Sequence, residues 1–539
     1  MKPDHFTPFF VPWRARLSAA RRALPRADSS QPILHQLEAL FSGWLLRHWL
    51  SPREEGAFSR QRDWPLRLTF WTFLAQLLCP GSSCRSAVRQ AQAQARLERR
   101  PVPAEDTSAY CQARARLPLE LLQELIRRVG GSLQQRVPEL ARWCGRVVKV
   151  ADGTTLTTED TPANQKAFAQ PKTQKKGCGF PLVRLVALFS LASGALLGFA
   201  TGNYLQSELA LAAQLWALLE PGDVLLADRY FGCYRVLALV KGRQADLVCR
   251  LHASRRADFR HGRRRGSLDR EVVWTRPKQV PPGLSVLEWL ALPATLTVRL
   301  VRFTVSEKGF RTRRVNLVTT LLDAQKYPVH ALAALYRRRW KVELSFRQIK
   351  TALEMEHLAV KSPAMIERAL AMHLLAYQLI RGLMQEAALS WDVPLERLSF
   401  QGAVDGARHF GEALLRARTQ RQRTALYAEL LRILAADEVP DRPGRHEPRA
   451  VKRRLKAYAR LNCERKKFRE VSHRNRRLSA RTKPASALVE NISSGENPRR
   501  LAKTTTAPAN TAVIAIFGHA FSAHCPDQVS WSECENGSR

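Results

Sequence analysis

Hydrophobic positions recur at helical spacing through the first quarter of the chain. Residues 35–50 and 66–79 are apolar at that spacing, Pro80-Gly81-Ser82-Ser83 interrupts it, and residues 84–99 resume it with a Gln- and Arg-rich face. Helix, short turn, helix suits a helix-turn-helix, or equally two packed helices that read no groove. A further helical pair is predicted over 117–143, divided near Gly130-Gly131.

At Arg146 the pattern changes. Residues 147–153 form a short apolar run closing on Asp152-Gly153, predicting a buried strand with a carboxylate at its end. Residues 183–192 and 195–201 read as a hairpin turning at Ser193-Gly194, 207–219 as a helix, and 223–229 as a second buried strand ending in Asp228. A helix over 233–241 and a strand over 245–251 follow. Right-handed crossovers on a mixed sheet are the economical way to fold that order, and they bring the two strand-end carboxylates to one sheet edge. Residues 252–320 alternate apolar and polar positions after a basic stretch at 261–265, predicting an all-β insertion.

The next segment, residues 332–353, holds no Gly or Pro and is rich in helix formers. At about 100° per residue, Leu335, Val342, Phe346, Ile349 and Leu353 share one stripe. Tyr336, Arg339, Glu343 and Lys350 fall on an adjoining arc roughly 60° wide. The helix can seat itself on the stripe and hold one carboxylate among three polar partners. An ordinary solvated ion-pair face has the same composition. A long apolar helix is predicted over 366–383 and two more over 395–436. The plan is a helical N-terminal region (1–145), an α/β core (146–390) with its insertion (252–320), a helical, basic C-terminal region (391–483) and a disordered tail (484–539), the tail rich in Ser, Thr, Asn, Gly and Pro.

Composition adds a partner. Among 539 residues, 87 Lys and Arg against 47 Asp and Glu leave a net charge of +40, which points to a polyanion, nucleic acid first. The longest apolar run, 185–200, falls short of the roughly 20 residues a membrane span needs. Residues 1–17 hold no signal-peptide apolar core. The ten Cys form no C-x-x-C pair, which suits reduced thiols in the cytoplasm. Asp152, Asp228 and Glu343, in this order on this strand pattern, suit a site in which carboxylate oxygens hold two magnesium or manganese ions about 4 Å apart for phosphoryl transfer.

Tyr336, Arg339, Glu343 and Lys350, with two, three and six residues between them, match the YREK signature of bacterial insertion-sequence transposases of the IS-four family. Tyr110 to Arg114, Asp152 to Thr155, Gly177 to Pro181 and Gly222 to Arg229 also resemble that family, so the likeness spans roughly 35–460. The resemblance implies an RNase H-like core with a DDE triad, in which Asp152, Asp228 and Glu343 are the metal ligands and catalytic residues. It implies that Tyr336, Arg339 and Lys350 contact DNA phosphates. It also implies that terminal inverted repeats and target double-stranded DNA are partners, that a homodimer forms in the synaptic complex, and that the protein works at a bacterial nucleoid with no membrane partner. A structure-specific nuclease on the same fold and a catalytically dead DNA-binding derivative are the rival readings.

Overall fold

The computed structural model describes residues 35–51, 55–56, 58–59, 62–281, 283–305, 313–440, 463–464 and 467–468. The expected tail at 484–539 lies outside them, as does nearly all of the basic run at 442–483. By internal contacts the chain divides into two units, residues 1–169 with 181–454, and 170–180 with 455–539. In the second unit the Gln170 side chain donates to the carbonyls of Gln174 and Lys175 and accepts from Gly177 N, closing the loop on itself.

In the first unit, five α-helices among the described residues precede the sheet: α1 (Gln36–Phe41), α2 (Leu66–Leu78), α3 (Cys84–Leu97), α4 (Thr107–Arg116) and α5 (Leu119–Gln135). Strand β1 (Val148–Thr158) follows, then α6 (Pro162–Phe168), the hairpin β2 (Leu182–Ser190) and β3 (Leu196–Asn203), α7 (Glu208–Ala213), β4 (Val224–Ala227), α8 (Tyr234–Gly242) and β5 (Asp246–Arg250). The insertion contributes β6 (Arg263–Gly266), β7 (Asp269–Thr275), α9 (Val286–Ala291), β8 (Thr295–Val305) and β9 (Arg313–Thr319). The chain continues through α10 (Val329–Arg337), α11 (Trp340–Arg347), the two-residue β10 (His357–Leu358), α12 (Pro363–Trp391), α13 (Phe400–Arg416) and α14 (Gln420–Ala436).

All ten strands form one sheet in the order β3-β2-β1-β4-β5-β9-β8-β7-β6, with β10 beside β1. Strand β2 runs antiparallel to β1, while β4 and β5 run parallel to it. This β3-β2-β1-β4-β5 half is the RNase H-like arrangement. The insertion is β-rich with one short helix, and it extends the main sheet through the antiparallel β5–β9 pair.

Alternation along the central strands divides two cores. Val148 and Val150 of β1, Leu185 and Ala187 of β2, and Val224 and Leu226 of β4 face the larger core. Ala151, Val186, Leu188, Leu225 and Ala227 face the smaller one, under α7 and α8. The period of two places successive side chains on opposite faces, and helices cover both. The larger core also takes Phe41, Phe70, Leu125 and Leu375, so helices from both ends of the unit pack on one sheet face. Tyr110 sits in a third, smaller cluster with Trp64, Leu68 and Ala113, and both Tyr110 and Arg114 donate to Gln76 Oε1, at 2.9 and 3.1 Å, joining α4 to α2.

Helix α5 runs unbroken through Gly130-Gly131, where the sequence suggests a division. Gly130 lies where the helix meets the sheet. A Cβ there would overlap the Leu196 carbonyl and come within 2.6 Å of Gln378 Nε2. Gln378 of α12, fully buried, accepts from Leu196 N at 3.0 Å and donates to Leu196 O and Ile126 O. The glycine is thus a close-approach position, and the helix accepts its entropic cost.

The insertion is fastened by Arg299 of β8, which is completely buried. It grips both oxygens of Asp269 at 2.8 and 2.6 Å and donates to Tyr327 O at 2.7 Å, one residue before the cap of α10. Tyr327 also stacks on Trp143, with ring centroids 5.5 Å apart. Arg146, just before β1, donates to its hydroxyl.

Gly130→Ala is expected to cost about 2 kcal/mol, as overpacking against backbone does. Gly131→Ala, with open space around it, should instead be neutral or stabilise by roughly 0.5–1 kcal/mol. Thermal melts of the two single variants check the pair, and equal melting temperatures would contradict the close approach.

Candidate active site

Two strands set the carboxylates. Parallel pairing matches Val148 with Val224, Lys149 with Leu225 and Val150 with Leu226. Two residues beyond the last pair, along each segment, stand Asp152 and Asp228. Strand β1 does not stop there but continues to Thr158, paired with β2, so Asp152 lies within a strand rather than at its end. Strand β4 does end, and Asp228 caps the turn that follows, accepting from Tyr230 N at 2.8 Å. A buried pair, Lys149 with Asp223 at 2.7 Å, ties the starts of the two strands.

Glu343 comes from α11. Leu335, Val342, Phe346, Ile349 and Leu353 are all buried, as the stripe predicts. The segment is not one uniform helix. At Arg338 and Arg339 the bonds shorten to three-residue steps, Arg339 N to Tyr336 O and Val342 N to Arg339 O. Residues Gln348–Ala352 widen into a π turn. These changes of pitch shift the angular positions that a constant 100° step assigns.

Arg339 is 7 % exposed and points into the cluster. Its Nη2 lies 2.9 Å from Glu343 Oε1 and its Nη1 lies 3.8 Å from Asp152 Oδ2. Tyr336 is near enough to feel the charges of Arg339, Arg250 and Asp228. Lys350 stands apart, its electrostatic partner being Glu356. The structure therefore gathers Asp152, Asp228, Glu343, Tyr336 and Arg339, while Lys350 sits one π turn away. Lys341 is held by Glu396 rather than free in solvent.

Burial pushes the Asp152 carboxyl up to about 7; Arg339 opposes that rise, and Asp228 and Glu343 add to it. A fourth carboxylate is present that the sequence reading did not single out. Glu208, the first residue of α7, is 8 % exposed, and burial pushes it up to about 8, with Asp152 and Asp228 adding to the shift. Its only sequence signal was an acidic residue opening the helix between the two Asp-bearing strands.

The donors are oxygen atoms of acidic side chains, the chemistry that suits a hard divalent cation. Among the described residues no group of three or more His, Cys, Asp or Glu is arranged to hold a metal ion as it stands. The positive charge between Asp152 and Glu343 is the arginine fork. The donor set thus has the chemistry a divalent cation needs, with the guanidinium standing in the place of positive charge.

Replacing Arg339 with Ala leaves those carboxylates without their shared counter-charge. The expected loss is on the order of 3 kcal/mol, read as a lower urea midpoint, with partial recovery when Asp152→Asn is added. Arg338→Ala, on the neighbouring face, should leave the midpoint nearly unchanged. An unchanged midpoint in Arg339→Ala would show that the guanidinium is not held between carboxylates.

Residues 143–379 match the Transposase DDE domain family. Transposase InsG for insertion sequence element IS4, from Escherichia coli (strain K12), is 30% identical over 280 residues, which are 51% of this chain and 60% of the relative. Putative transposase InsZ, from the same organism, is 30% identical over 125 residues, 23% of this chain and 42% of the relative. The matched segments thus span less than two thirds of either relative. A solved piggyBac transposase synaptic complex with hairpin DNA aligns over 80% of this chain and 87% of that one at 10% identity, with a TM-score of 0.38. No helix among the described residues is long and apolar enough to cross a membrane. Residues 143–379, which carry Asp152, Asp228 and the helix of Glu343, are similar to the Transposase DDE domain family, and about half of the chain is similar to an IS4-element transposase.

Proposed function

We propose that the protein is a DNA transposase that binds the terminal inverted repeats of its insertion sequence, cleaves at the element ends and joins the 3′ ends to target DNA. The observation that carries this is the parallel β1–β4 register, which sets Asp152 and Asp228 side by side within the segment similar to the Transposase DDE domain family, with Glu343 delivered to them by α11. Two magnesium or manganese ions at these carboxylates would stabilise the attacking and leaving oxygens of an in-line displacement.

The chain's own residues do the positioning. Arg339 leaves its carboxylates and turns its bidentate fork to the phosphate beside the scissile bond. Tyr336 and Lys350 contact flanking phosphates. The helical N-terminal region, 1–145, binds DNA. Its α3 buries Ala87, Val88, Ala91 and Ala95 and exposes Arg85, Arg89, Gln90 and Arg96, a basic face of the kind a groove or backbone accepts. The core spans 146–390 and the basic C-terminal region 391–483. A homodimer holds the two ends in synapsis, at the nucleoid of a bacterial cytoplasm.

The test is a cleavage and joining assay on paired element-end DNA, with magnesium or manganese. Asp152→Asn, Asp228→Asn and Glu343→Gln should each lower cleavage by more than about a hundredfold, since even small misplacement of the phosphate costs that much. DNA binding should persist in all three. Cleavage that persists in Glu343→Gln would remove the reading, and cleavage without joining would replace it with a nuclease.

Affinity for end DNA should fall steeply with salt, with a logarithmic slope of about −0.9 per phosphate contacted. A flat dependence, measured by fluorescence anisotropy between 50 and 300 mM salt, would contradict a phosphate-reading surface.

A further inference from the structure

Glu208 opens α7, between the strands that bear Asp152 and Asp228. It is 8 % exposed, and among the described residues it accepts no hydrogen bond and joins no ion pair. The charges it feels are those of Asp152 and Asp228, opposed by Arg184. An ionised carboxylate in that state costs several kcal/mol unless a cation or donor compensates it.

The second observation is Gly153, next to Asp152 and inside β1. A Cβ at Gly153 would lie 2.6 Å from both Glu208 Cδ and Glu208 Oε1. Glycine in a strand interior weakens the strand and marks a close approach. What approaches here is this carboxylate, so strand and helix are cut to admit it. Ala or Gln at 208 would suit a short helix, and a side chain at 153 would suit the strand; the chain has neither. The carboxyl therefore sits over the residue next to Asp152, close enough to feel the charges of Asp152 and Asp228 as well as that of Arg184.

We propose that Glu208 is a fourth acidic residue of the metal site, holding a divalent cation on the Asp152–Asp228 side, directly or through a cation-bound water. The inference rests on the active-site reading above, adding a residue to the three carboxylates of that reading. It also gives Gly153 a role: it keeps clear the space that the Glu208 carboxyl occupies.

The experiment is a manganese titration of the metal-stripped full-length chain, without DNA. Free manganese is followed by electron paramagnetic resonance, and a thermal melt is recorded at each concentration. Glu208→Gln should melt higher than wild type without metal, because folding no longer has to desolvate or protonate that carboxyl. It should bind manganese about ten- to a hundredfold more weakly and show a smaller metal-induced rise in melting temperature. Gly153→Ala should weaken manganese binding in the same direction by displacing the carboxyl. Asp152→Asn is the reference for the site itself. If Asp152→Asn loses manganese while Glu208→Gln titrates like wild type, the site stands and Glu208 is excluded from it. If neither variant changes the titration, the metal-site reading fails and this inference fails with it. A Glu208→Gln chain that melts lower without metal and binds manganese normally would make Glu208 a structural residue, and would overturn the proposal.

Discussion

The structure depends on forcing like charges together. Parallel pairing of β1 with β4 is locked by the buried Lys149–Asp223 ion pair and by side chains facing both cores, so the register cannot slip. Once it is fixed, two aspartates must lie beside each other, and α11 adds a glutamate. Repulsion among carboxylates in a partly buried place is tolerated only with a compensating cation. In the protein alone Arg339 supplies that charge, bonded to Glu343 and within 3.8 Å of Asp152.

The scaffold reads as support for that cluster. Helices cover both faces of the sheet, and the carboxylates stand where the buried runs of β1 and β4 give way to partly exposed positions. Gln378 satisfies the backbone of Leu196 and Ile126 at once, allowing α5, α12 and β3 to meet without an orphaned polar group.

Much of this was legible in the sequence, because period and strand-end chemistry are local signals. The stripe of Leu335, Val342, Phe346, Ile349 and Leu353 is buried as its spacing implies, and the strands bearing Asp152 and Asp228 are adjacent as the crossover order implies. What was not legible is non-local. Glu208 is 56 positions from Asp152 in sequence and opens an ordinary-looking helix, so only the tertiary structure shows its carboxyl beside Gly153. Gly130-Gly131 reads as a break because glycine has low helix propensity, whereas Gly130 is there for a contact with a strand more than sixty residues away. The tightened step at Arg339 and the π turn at Gln348–Ala352 are likewise set by packing, since no proline or glycine marks them.

The Arg299 fork has a mechanical consequence. One buried side chain binds Asp269 of β7 and the carbonyl of Tyr327, directly before the helices that carry Glu343. Between that anchor and Glu343 lie only two short, tightly packed helices. The insertion and the chain leading to Glu343 thus share one buried anchor, and the start of α10 is positioned from the insertion's own strands.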